Sequence, residues 1–117
     1  MEVKGHTIIM ATKDNDKAMQ SFYVNKLGFK KNQMGGITAG DLNIFFDRHN
    51  KAAKKALEPF RSMPTFTVVN IQKTYKDLVK KGVKFVRKPG KEEWGGWFAT
   101  LVDPDGNYIQ IFELPEE

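Results

Sequence analysis

Apolar positions run through this chain in short strand-sized stretches, broken twice by a segment of helical period. Residues 6–12 (HTIIMAT) form the first apolar strand. Met19, Phe22 and Tyr23 then recur at helical spacing and predict a helix capped by Asp14 or Asp16. Gly28 closes it, because a left-handed residue after the last turn is cheapest as glycine. Three short strands are expected at about 29–33, 36–39 and 42–46, with turns at Gly35-Gly36 and Gly40-Asp41. The same order returns downstream. Residues 64–69 (PTFTVV) read as a strand, and Asn70 caps a helix whose inner face is Ile71, Tyr75, Leu78 and Val79. Gly82 ends that helix, and strands follow at about 83–87, 97–102 and 107–113. Between the halves, residues 50–57 predict a short lysine-rich helix stopped by Pro59.

The two halves align with each other. Placing Asp14 on Asn70 sets Met19, Phe22 and Tyr23 on Tyr75, Leu78 and Val79. AGDLNIFFD (39–47) lies along DGNYIQIFE (105–113), glycine on glycine and acid on acid. The expected fold class is therefore α+β, a single domain of two βαβββ modules. Module one covers about 1–48, a linker about 49–62, and module two about 63–117. The last strand carries Tyr108 and Phe112 on one face and Ile109 and Ile111 on the other. A strand apolar on both faces needs a helix layer on one side and a cavity or partner on the other.

Composition narrows the function classes. At 117 residues the chain makes one domain, and 40% hydrophobic with 28% charged residues is ordinary for a globular protein. No apolar run is long enough to span a bilayer, and the start, MEVKGH, lacks the pattern of a secretory signal. There is no cysteine, so disulfides, thiol nucleophiles and thiolate metal sites are excluded. A cytoplasmic location fits. The net charge of +5 comes mostly from lysines on helix faces and ends without interleaved aromatics, so neither a nucleic acid nor a membrane is expected as a partner.

Three stretches carry a resemblance to a known family: KDNDKAMQSFYVNKLGF (13–29), NIQKTYKDLVKKGVKF (70–85) and WGGWFATLVDPDGNYIQIFE (94–113). Asp103-Pro104-Asp105-Gly106-Asn107 is by itself a tight turn, in which proline presets φ and glycine supplies a positive one. Followed by an alternating strand, and joined to both helices and the repeat, it resembles the vicinal oxygen chelate superfamily of glyoxalase I, bleomycin-resistance proteins and extradiol dioxygenases. The resemblance covers essentially the whole chain. It implies eight strands curled into an open cup with the helices outside, and commonly a homodimer.

Metal-dependent members of that family place a His, Gln or Glu on each of four strands around a divalent ion. Carried over one position at a time, those places fall on Thr7, Ile44, Met63 and Gln110. Only glutamine among them is a serviceable ligand, so no metal or other cofactor is expected. His6 stands one residue from the first place, and a one-residue step in a strand faces the other side. A bulge that turned it inward would restore the alternative reading, a glyoxalase-like lyase, isomerase or dioxygenase using a divalent metal. His49, Glu92, Glu93, Asp47 and Glu113 show no paired acid–base arrangement, and Asp47 with Glu113 could form one acidic corner.

If those places set the inward parity, the lining comprises Thr7, Ile9 and Ala11, then Leu42, Ile44 and Phe46. The second half adds Met63, Thr65 and Thr67, then Tyr108, Gln110 and Phe112. Trp94-Gly95-Gly96-Trp97 lets one indole cover the mouth. The expected function is metal-free binding or sequestration of a small, partly aromatic molecule, in the manner of a resistance protein. The expected ligand contacts are Thr7, Ile44, Phe46, Met63, Thr65, Trp97, Tyr108 and Gln110.

Overall fold

In a computed structural model, which describes residues 1–116, the chain folds as two compact units that meet in sequence at Lys54 and Lys55. Each unit runs strand, helix, three strands. The first contains β1 (Thr7–Thr12), α1 (Asp16–Ser21), β2 (Lys30–Lys31), β3 (Ile37–Ala39) and β4 (Leu42–Arg48). The second contains β5 (Thr65–Thr67), α2 (Ile71–Lys80), β6 (Lys84–Lys91), β7 (Trp97–Val102) and β8 (Tyr108–Glu113). The sheet orders are β1-β4-β3-β2 and β5-β8-β7-β6, with the outer pairs β1–β4 and β5–β8 parallel. The two βαβββ modules expected from the repeat are thus present, strand for strand. Among the described residues, no helix is long and apolar enough to cross a membrane.

In the first unit α1 covers the face of the sheet that carries Ile8, Met10, Ile44 and Phe46. Tyr23 is fully buried, its ring 5.0 Å from that of Phe46 and its hydroxyl 3.8 Å from the Met10 sulfur. A π turn over Phe22–Lys26 continues the helix, so that Leu27 donates to the Phe22 carbonyl at 3.1 Å. The π turn adds one residue to this first helix. Its start also differs from expectation, because Asn15, not Asp14 or Asp16, occupies the N-cap position and its side chain makes no capping bond. Asp16 instead accepts from Arg48 Nε at 2.7 Å.

The Arg48 hydrogen bond holds the Asp16 carboxyl below its ordinary value. The associated stability is therefore present above the ordinary carboxylate range and lost as pH falls through the lowered value. Changing Arg48 to Gln should move the Asp16 titration back upward, which carboxyl-carbon NMR would follow. The effect on stability should be small, since Arg48 is largely solvated and Asp16 only half-buried.

In the second unit α2 begins with two caps. Asn70 accepts from the Lys73 amide at 3.1 Å, as expected, and the Glu113 carboxylate accepts from the Ile71 amide at 2.8 Å. Ile71 and Leu78 are buried, and the Tyr75 ring meets Phe85 edge-on at 4.7 Å. Val79, placed on the inner face by spacing, is instead 46% exposed.

The short helix expected over residues 50–57 does not form. That stretch is a succession of turns, and its polar groups go to the Asp103–Asn107 loop instead. The Ala56 amide donates to the Asp105 carbonyl at 2.8 Å, and Lys55 Nζ to the Pro104 carbonyl at 2.5 Å. An eight-residue helix is marginal alone, so two fixed acceptors on a neighbouring loop decide the backbone path.

Candidate functional site on the second sheet

Strand register assigns every side chain of the second sheet to a face. Ala99, Leu101, Ile109 and Ile111 are buried on the side of α2. The opposite face is organised in rows across the strands. Thr65 pairs with Gln110, Gln110 with Thr100, and Thr100 with Arg87, so one polar row crosses all four strands. The next row is Thr67, Phe112, Phe98 and Gly90. On the other flank stand Tyr108, Val102 and Lys84.

The aromatic row is a built platform. Phe98 and Phe112 stack with centroids 4.7 Å apart and planes 28° from parallel. Trp94 lies against both, at 6.0 Å and 5.9 Å, yet keeps 59% of its surface exposed. The two glycines after it make this possible. Gly95 has φ +102°, a conformation that L side chains rarely adopt. A Cβ on Gly96 would run into the Trp94 ring and stand 2.9 Å from Phe112. At the other end of the face, Phe60 meets Tyr108 edge-on at 4.7 Å.

The polar row is partly satisfied from within. Thr65 Oγ1 donates to Gln110 Oε1 at 3.3 Å and lies 3.1 Å from the Met63 carbonyl. With its oxygen so engaged, the Gln110 amide keeps its N–H groups as donors. Arg87 reaches the row through a bulge, since β6 gains a residue against β7 between Phe85 and Arg87. Its guanidinium lies 6.0 Å above Phe98 and donates to Glu92 at 2.8 Å. Gly90 leaves the space, for a Cβ there would stand 3.2 Å from Arg87 Nη2.

The expected contact residues separate on these registers. Thr65, Tyr108 and Gln110 share the helix-free face of the second sheet, with half-buried Met63 just before β5. Thr7 lies on the helix-free face of the first sheet, level with Asn43. Ile44 and Phe46 do not join it. Leu42, Ile44 and Phe46 face α1, and the helix-free positions of β4 are Asn43, Phe45 and Asp47. The two-residue turn at Gly40-Asp41 pairs Ala39 with Leu42, whereas the longer Asp103–Asn107 loop pairs Val102 with Tyr108. Glycine-on-glycine alignment is therefore one residue out in space: the buried Ile44 corresponds to Ile109, and Phe45 to Gln110. Trp97 pairs with Glu113 on the α2 side, so Trp94 is the indole over the face. Trp94, Trp97, Glu113 and Pro115 line a cavity of about 300 Å³ at that end of the sheet.

The four places where a family metal would be held become Thr7, Phe45, Met63 and Gln110. One hydroxyl, one phenyl ring, one thioether and one amide, the last already bonded to Thr65, do not fit a divalent ion. Among the described residues no three His, Asp or Glu side chains gather as a ligand cluster. His6 lies in front of β1 with its Nε2 3.6 Å from Asp41, both largely exposed. Glu113 accepts from the Ile71 amide at the α2 N-terminus, and Asp47 stands exposed in the first unit.

Two βαβββ modules, the second closing its last hairpin with Asp-Pro-Asp-Gly-Asn, define the α+β class of this chain. The chain belongs to the Glyoxalase/Bleomycin resistance protein/Dioxygenase superfamily, whose sequence profile matches residues 5–111. It is 28% identical to the uncharacterized protein YetH of Bacillus subtilis over 116 residues, 92% of this chain and 95% of that one. It is 40% identical to the uncharacterized protein YraH of the same organism over 65 residues, about half of either chain. A solved member of the superfamily from Sphaerobacter thermophilus matches with a TM-score of 0.75 and 23% identity, covering 97% of this chain and 98% of its own. That likeness shows the fold.

Proposed function

We propose that this protein binds or sequesters a small, partly aromatic molecule on the helix-free face of its second sheet, without a metal ion. One observation carries the reading: the half-buried Phe98–Phe112 stack with the exposed Trp94 against it, beside a row of neutral hydrogen-bonding groups. A structural core has no need of an indole held open over two phenyl rings by glycines. The proposed contacts are Thr65, Trp94, Phe98, Thr100, Tyr108, Gln110 and Phe112. Ile44 and Phe46 leave the set because α1 covers them.

A resistance-like, sequestering role in the cytoplasm as a homodimer belongs to the same proposal. Exposed Ile9, Val69 and Leu114 give a second copy apolar surface to cover, and sedimentation equilibrium measures that pairing. The reading itself is tested by thermal shift with a broad panel of aromatic and antibiotic compounds, since a binder stabilises the fold by mass action. At least one aromatic compound should raise the melting temperature and change indole fluorescence. A flat response across the panel counts against binding. Stoichiometric Ni, Zn, Mn or Fe in the purified protein would overturn the metal-free part and favour a glyoxalase-like lyase or dioxygenase.

A further inference from the structure

The rows of the second sheet differ in charge as well as polarity. We infer that the occupant of the platform is a planar aromatic carboxylate, its ring on Phe98, Phe112 and Trp94 and its anionic group on the row of Gln110, Thr100 and Arg87. This rests on the binding role proposed above and goes beyond it by assigning the ligand's charge and direction.

Geometry sets the direction. Rows two residues apart along a strand are separated by roughly 7 Å. A ring stacked on the first row therefore places a substituent over the second. That second row presents donors, the Arg87 guanidinium and the half-buried Gln110 amide, with the Thr100 hydroxyl buried between them. The aromatic row offers no polar group apart from Thr67 at its margin, so a ligand lying the other way would set its polar end on phenyl faces.

Charge sets the sign. The strand positions on this face that carry charge, Arg87 and Lys84, are both cationic. Glu92 enters from the loop after β6 and bonds one guanidinium nitrogen, Nη2. It holds the guanidinium over Phe98 while leaving its other N–H groups for a planar acceptor. Glu92 is thus both a positioning residue and a competitor for the same cation. A cationic ligand would meet Arg87 head-on, and a neutral one would leave its remaining donors without use.

Isosteric probes separate these cases: 2-naphthoate, 2-naphthamide and 2-naphthylmethylammonium, titrated calorimetrically against the full chain at low salt. The carboxylate should bind about tenfold tighter than the amide, as expected of one charge-assisted contact, and the ammonium weakest. Arg87→Gln should bring the carboxylate-to-amide ratio close to one while amide binding persists. Glu92→Gln should widen the ratio by removing the competing anion. A general loss of structure would weaken all three probes together and could not move the ratio in opposite directions in the two variants. Equal binding of carboxylate and amide, preference for the ammonium, or a ratio unchanged by Arg87→Gln overturns the inference and leaves platform binding standing. Failure of all three probes to bind, with the broader panel also silent, removes the binding role itself.

Discussion

Replacing Asp103 with alanine should destabilise the protein by about 3 kcal/mol, as one buried and one half-buried amide lose a charged acceptor. Asp103 is 4% exposed, and its Oδ1 accepts from the Asp105 and Asn107 amides, each at 2.9 Å. Its Oδ2 accepts from Asn107 Nδ2 at 2.9 Å. These bonds close the loop that feeds β8, the strand carrying Tyr108, Gln110 and Phe112. The same loop receives Lys55 and Ala56, so its loss also releases the segment that brings Phe60 to Tyr108. For a chain of this size the melting temperature should fall by roughly 10–15 °C. Asparagine at the same position keeps one acceptor oxygen and should recover about half of that loss. A denaturant titration of the three proteins checks the order. Equal stability of wild type and Asp103→Ala would mean that the turn holds itself by backbone bonds alone.

The second large effect is on the platform, with the fold spared. Changing Gly96 to alanine puts a methyl group where the Trp94 ring now lies, against Phe112 as well. Gly96 does not have a positive φ, so alanine is acceptable to the backbone. Trp94 is more than half exposed, and it can swing outward at small cost to stability. We expect a change in melting temperature of only a few degrees, a red shift of indole emission, and a loss of aromatic ligand affinity of about tenfold or more. Alanine at Gly5, which has open space around its Cβ position, is the control and should change none of these. Undiminished affinity in Gly96→Ala would show that Trp94 is not part of the binding surface.

These effects depend on strand faces, and faces were the least legible part of the sequence. The β7 strand appeared over residues 97–102 with the bounds the structure has, because its turns are marked by glycines on one side and Asp-Pro on the other. Asn70 was recognisable as a cap from its residue type and its position before a helical period. Parity in β4 was misread because Leu42, Ile44, Phe45 and Phe46 are all apolar. Such a run gives no polar residue at every second place to mark the solvent side. The repeat could not rescue it, since the glycine alignment that reveals the duplication hides a turn of different length. Arg87 was overlooked for a related reason. A bulge after Phe85 re-aims it, and no local residue pattern announces a bulge placed by pairing with β7.

The sequence by itself determined the two βαβββ modules, the family and the poverty of metal ligands, because periodicity, turn residues and side-chain chemistry are local properties. Tertiary structure decided which side of each strand faces away from its helix, and that choice is made by the burial of Ile44, Ile109 and their neighbours. From it follow the stack of Phe98 and Phe112, the place of Trp94 in preference to Trp97, and the polar row from Thr65 to Arg87. Those residues lie as far apart as 65 and 110 in the chain and share one surface only because strands pair.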